Sequence, residues 1–150
     1  MYVLGVDERY SVASPTFDRL GIDVDAWPVP PAGLFIVEER TVYLRSTSPV
    51  TIVHEFGHAL DCALGNGVYR SGYDPRIRKA FHSARAFVTP YGAVSPDEYV
   101  AESVRAFVNC PNEKGCPWPD VSREWLLAID PTMHDLLESL FQECSEALQR

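Results

Sequence analysis

The sequence predicts an α+β fold that is mainly helical, with a small antiparallel sheet near the N-terminus. Three observations carry this. A polar residue followed by proline recurs at Ser14, Ser48, Asp74, Ser95 and Asp130, and each pair reads as a helix N-cap with proline at the first helical position. Two β-rich runs, Leu34 to Val37 and Thr41 to Arg45, lie close together in the first third of the chain. After several of the capped starts, apolar residues recur at helical spacing. A chain of 150 residues without repeats, low-complexity segments or an evident linker reads as one domain over residues 1–150, long enough to bury a core.

The elements follow in order. Tyr2 to Val6 is a short strand. Ser14-Pro15 opens a short helix containing Phe17 and Leu20, which Gly21 stops. The segment from Trp27 to Gly33 must be extended, because each proline restricts the residue before it. It reads first as a stiff linker and second as a cleft wall carrying an aromatic. Glu38-Glu39-Arg40 joins the two β-rich runs, and an exposed edge there could pair with an extended peptide. From Ser48 to Gly65 the spacing predicts a helix with an apolar stripe of Val53, Phe56, Leu60, Ala63 and Leu64. His54, His58 and Asp61 fall away from that stripe, and Asp61 reads either as an exposed helix residue or, second to Glu102, as an acceptor that orients an imidazole. Gly57 is costly inside a helix, which suggests close backbone approach, with the strand at 41 to 45 as the candidate.

Asp74-Pro75 opens a helix to about Val88, carrying His82 as a structural or exposed residue. TPYGAV, from Thr89 to Val94, is a loop. Ser95-Pro96 opens a helix ending near Cys110. A loop then runs to Pro119, and a short helix surrounds Trp125. The final helix starts at Asp130-Pro131 and packs through Met133, Leu136, Leu137, Leu140, Phe141 and Leu148, with His134 at the surface.

A formal net charge of -8 argues against nucleic acid and anionic membrane as partners and is compatible with a basic peptide. No run approaches the length needed to cross a bilayer. MYVLGVDERYSV lacks the features of a secretory signal, so the expected location is the cytoplasm, or outside it by a route that leaves no such mark. Cys62 and Cys144 read as small core residues. Cys110 and Cys116 bracket CPNEKGC and could bridge or bind metal, with reduced thiols the expectation.

The chemistry-bearing stretch is His54-Glu55-Phe56-Gly57-His58. On a helix the two histidines stand one turn apart on one face. Two imidazoles so placed can take two corners of a zinc tetrahedron, with Glu55 beside them as general base. The extended pattern with a third histidine is absent, since Leu64 occupies its place and Asp61 stands where glycine is needed. A glutamate from a later helix is the usual alternative. Glu98 and Glu102 lie one turn apart on the helix from Pro96. Ser95 and Glu98 also form a capping box, and on local chemistry the cap reading leaves Glu102 as the ligand. Glu102 could equally face solvent, paired with Arg105 to little effect. The third ligand stays open between them.

HEFGHALD, followed by Tyr91-Gly92, Glu98 and Glu102, resembles the anthrax lethal factor-like zinc peptidase family, which includes the clostridial Pro-Pro endopeptidases. The likeness spans roughly Ser48 to Val108. It implies a zincin-like metallopeptidase domain of the gluzincin type, with one zinc ion held by His54, His58 and Glu98. It also implies Glu55 as catalytic base, Tyr91 as the catalytic tyrosine that donates to the oxyanion, and Glu102 supporting a ligand histidine. The expected function is a zinc-dependent endopeptidase acting on an extended peptide or protein. The alternative is a catalytically inactive, zinc-stabilised peptide-binding module, which needs neither Glu55 nor Tyr91.

Overall fold

All five polar–proline pairs open helices. The computed structural model describes residues 1–116 and 121–148, the last two of these by backbone only. The expected packing of Leu148 and the loop's end at Pro119 lie outside the described residues. The chain runs β1 (Tyr2–Val3), α1 (Tyr10–Ala13), α2 (Pro15–Leu20), β2 (Gly33–Ile36), β3 (Thr41–Leu44), α3 (Pro49–Leu64), α4 (Pro75–Ser83), α5 (Pro96–Phe107), α6 (Arg123–Ile129) and α7 (Pro131–Leu148). Short 3₁₀ turns occur at Val24–Ala26, Arg70–Gly72 and Pro90–Ala93. The caps form as their chemistry dictates. Ser14 accepts from the Phe17 N–H, Ser48 from Thr51, Asp74 from Arg76, Ser95 from Glu98 and Asp130 from Met133.

The fold is α+β and mainly helical, with one three-stranded sheet in the order β1-β3-β2. β2 and β3 form the antiparallel hairpin, with Leu34 opposite Tyr43 and Phe35 opposite Val42. β1 runs parallel to β3, with Tyr2 beside Tyr43, so the sheet is mixed rather than antiparallel throughout. Residues 4–40 supply the long connection that parallel pairing requires. β1 is also shorter than the expected strand to Val6. Glu8 ends it by accepting from the Gly5 N–H at 2.9 Å while its own N–H bonds the Gly5 carbonyl. Val6 is left exposed.

The sheet packs on α3, α3 on α5, and α5 on α4, α6 and α7. α5 is buried continuously from Tyr99 to Phe107. The main core joins Val100, Val104, Leu126, Met133 and Leu137, and a smaller one under the sheet joins Leu4, Tyr10, Val24, Ile36 and Tyr43.

α3 lies between these cores; Leu60 and Leu64 of the expected apolar stripe pack on the main core, but the fully buried face corrects the rest of it. Glu55, Gly57, His58, Asp61 and Cys62 are buried, while Phe56 is 49% exposed and Ala63 faces solvent. Asp61, expected at the surface, is 1% exposed and accepts from the Ser71 N–H and hydroxyl. The backbone that approaches Gly57 belongs to α5, not to β3. A Cβ on Gly57 would fall 2.7 Å from the Ala101 Cα.

Three further expectations change. α4 stops at Ser83, short of Val88. The chain then folds back so that Phe87 meets Phe81 and Tyr99 at ring distances of 5.7 Å. His134 is buried, its ring tilted against that of Phe107 and accepting from Arg123 Nε at 3.1 Å. Cys144 is half-buried, Cys62 is buried, and all four cysteines are free thiols.

Candidate metal centre

α3 and α5 cross at Gly57 and Ala101, and this close approach carries Glu98 to the two histidines. His54 Nε2 and His58 Nε2 lie 3.2 Å apart. Glu98 Oε2 lies 3.1 Å from the first and 3.4 Å from the second. Tetrahedral metal–nitrogen bonds of about 2.0–2.1 Å give ligand-to-ligand edges of about 3.3 Å, so these three atoms outline one face of such a site. His54, His58 and Glu98 form a group that can hold a metal ion.

The donors' chemistry supports the fit. His54 Nδ1 lies 2.8 Å from Glu102 Oε1. A carboxylate accepts only, so Nδ1 carries the proton and Nε2 presents a lone pair. That lone pair faces a carboxylate oxygen and a second imidazole nitrogen. Glu98 Oε2 is buried without a hydrogen-bond donor among the described residues. Two acceptors, His54 Nε2 and Glu98 Oε2, held this close need a positive partner between them, a metal ion or a proton. Without metal the cation is a proton. Burial works against charge on His54, but Glu102 and Glu98 outweigh it and raise its pKa to about 9. Burial also opposes charge on Glu98, and the two histidines still hold its carboxyl down at about 2.

The structure separates the two roles considered for Glu98. Ser95 Oγ accepts from the Glu98 backbone N–H at 3.4 Å, so half the capping box is present. The Glu98 side chain turns instead to the histidines. Glu102 sits behind His54, where Thr89 Oγ1 donates to it at 2.6 Å and Arg105 Nη2 at 2.8 Å. The Glu102–Arg105 pair is buried, not the exposed pair considered from sequence. Burial opposes the Glu102 charge, but His54, Arg105 and Thr89 hold its pKa below the ordinary range.

Glu55 is buried beside the triad and lines the same cleft. Burial pushes its carboxyl up, although the two histidines act the other way. β2 lies tight against it, since a Cβ on Gly33 would fall 2.7 Å from Glu55 Cγ. Tyr91 stands at the mouth, 53% exposed, its ring 5.5 Å from that of His54. Burial and the Glu98 carboxylate push its hydroxyl pKa up, so it stays protonated at neutral pH.

The cleft around this group has a volume of about 210 Å³. Trp27 and Pro31 line it together with β2, so the proline-rich segment is a cleft wall. Tyr10 donates to the Pro31 carbonyl at 2.9 Å and ties that wall to the smaller core. Sequence reasoning missed Tyr69, whose ring lies 5.7 Å from that of His58 and which nothing local marks. It also missed Thr89, although Thr89-Pro90 repeats the polar–proline signature and opens the Tyr91 turn. A second group, His134, Asp135 and Glu138, is spanned by Arg123, which donates to His134 and Glu138.

In comparisons with known proteins, no protein-family model and no curated protein matches the chain. Among the described residues, no helix is long and apolar enough to cross a membrane.

Proposed function

We propose that the chain is a zinc-dependent endopeptidase with a zincin-like, gluzincin-type arrangement. One observation carries this. Three metal-binding atoms from α3 and α5 converge on one point, with the buried carboxylate of Glu55 beside them in an open cleft. Two imidazoles and one carboxylate suit zinc, and three protein ligands are the mark of a catalytic rather than a closed structural site. The likeness of HEFGHALD, Tyr91, Glu98 and Glu102 to lethal factor-like zinc peptidases supports the same reading.

His54, His58 and Glu98 would hold the ion, and Glu102 orients His54. Bound zinc supplies Lewis acidity, polarising a peptide carbonyl and bringing the pKa of water to about 7. Glu55 takes a proton from the attacking water and passes it to the leaving amine. Tyr91 keeps its proton and donates to the developing oxyanion, a contact worth on the order of a hundredfold in rate. The substrate is an extended peptide lying between β2 and the Tyr91 turn. A binding module of the same shape has no use for Glu55 or Tyr91.

The test uses purified protein and its Glu55→Gln variant. Native protein should bind about one equivalent of zinc and cleave members of a diverse peptide library, read by mass spectrometry. The variant should keep the zinc and lose cleavage. Absence of zinc after reconstitution rejects a metal centre. Zinc without cleavage in either protein moves the reading to the binding module.

A further inference from the structure

We propose that the substrate carries an acidic side chain beside the scissile bond, received by a cavity next to the metal cleft; this rests on the endopeptidase reading above. The cavity is the larger of the two, about 520 Å³, within the range of roughly 300–1,000 Å³ usual for small-ligand sites. Phe35, Arg40, Ala59, Cys62, Ala63, Asn66 and Gly67 line it. Phe35 also lines the metal cleft, so the two spaces share a wall. The Phe35 ring packs on Tyr69 and Tyr69 packs on His58, at ring distances of 6.3 and 5.7 Å. On this proposal, a side chain next to the scissile bond passes Phe35 to enter the cavity.

The lining is mostly apolar, with Asn66 and a single, solvent-exposed arginine as its polar side chains. Arg40 sits in the hairpin turn with φ of 49°, and among the described residues no carboxylate pairs with it. Its guanidinium rests on Gly67, since a Cβ there would fall 3.0 Å from Nη2. Gly67 itself has φ of 97°, which only glycine adopts readily. Two left-handed positions on separate loops thus seat one cation over an apolar cavity. Its field reaches the floor: burial pushes the Cys62 thiol pKa up, and Arg40 acts against that rise. Apolar walls with a cation at the rim suit a short aliphatic stem ending in a carboxylate, which is glutamate or aspartate. The chain's net negative charge suggests the opposite preference, but a pocket responds to its nearest charge and not to the sum.

The experiment is cleavage-site profiling of zinc-loaded native protein, with Arg40→Gln and Arg40→Glu in parallel. Native protein should enrich glutamate and aspartate at one position next to the cleaved bond. In Arg40→Gln, the ratio of kcat/KM for a matched glutamate and glutamine peptide pair should fall roughly tenfold, the worth of one charged hydrogen bond. In Arg40→Glu, that position should shift towards lysine. Binding of the same pair to the Glu55→Gln protein gives a readout independent of turnover, and there the glutamate preference should also disappear with Arg40→Gln. Cleavage without acidic enrichment, or enrichment that survives Arg40→Gln, overturns the proposal while leaving the peptidase reading in place. Absence of any cleavage overturns both.

Discussion

Glu102 shows how much one carboxylate can organise. It accepts from His54, Thr89 and Arg105, so it ties α3 to the turn carrying Tyr91. Glu98, one helical turn earlier, turns its buried Oε2 to the histidines without a hydrogen-bond donor among the described residues. These positions separate by substitution. Glu98→Gln should abolish tight metal binding, measured by competition with a chromogenic chelator. Glu102→Gln keeps an acceptor for His54 and should weaken binding by only about 10–100-fold. The reverse order of losses would place Glu102 among the ligands. Local sequence left this choice open because Glu98 stands both at the third helical position after a serine cap and within reach of a site formed by another helix. Its backbone N–H serves the cap and its side chain serves the site, so both readings describe it.

At the scale of elements, the crossing of α3 and α5 decides whether the triad exists. Gly57 permits it, and Gly57→Ala places a methyl group 2.7 Å from the Ala101 backbone. The expected result is a loss of about 1–3 kcal/mol in denaturant unfolding, with metal affinity falling alongside as Glu98 moves away. A fully retained affinity and stability would show that this contact does not set the helix spacing. The start of α4 offers a separate test. Asp74 caps the helix and pairs with Arg76 and Arg70. Arg76, ahead of the other contacts, holds its carboxyl well below the usual range. A depressed pKa stabilises the folded state above the unfolded value of about 3.9, and the benefit disappears as pH falls through the folded value. Asp74→Asn keeps the cap but removes the charge. The stability gap between the two proteins should be full at neutral pH and close as pH drops below about 4, read by urea titrations across that range. The absence of a gap at any pH would assign Asp74 to capping alone.

Across the whole molecule, the candidate metal group bridges α3 and α5, the two helices that join the sheet to the main core. Binding to the native state alone stabilises it by about 4 kcal/mol at a free concentration a thousand times Kd. Stripping metal should therefore lower the thermal midpoint of native protein, and restoring zinc should recover it. His54→Ala should show neither response; an equal response there would place the ion elsewhere. Much of this architecture is legible in the chain. Polar–proline pairs open helices because side-chain oxygens and a fixed φ act locally, and β-branched runs beside a short turn form a hairpin for equally local reasons. The histidine pair one turn apart on α3 is local in the same sense. The sequence by itself thus determined the helical α+β class, the starts of its helices and two corners of the candidate site. Tertiary structure decided the parallel entry of β1, the polar buried face of α3, the burial of Asp61 and His134, and the use of the proline-rich segment as a cleft wall. It also decided which glutamate meets the histidines. Each of these depends on partners distant in the chain, and spacing along one helix carries no record of what crosses it.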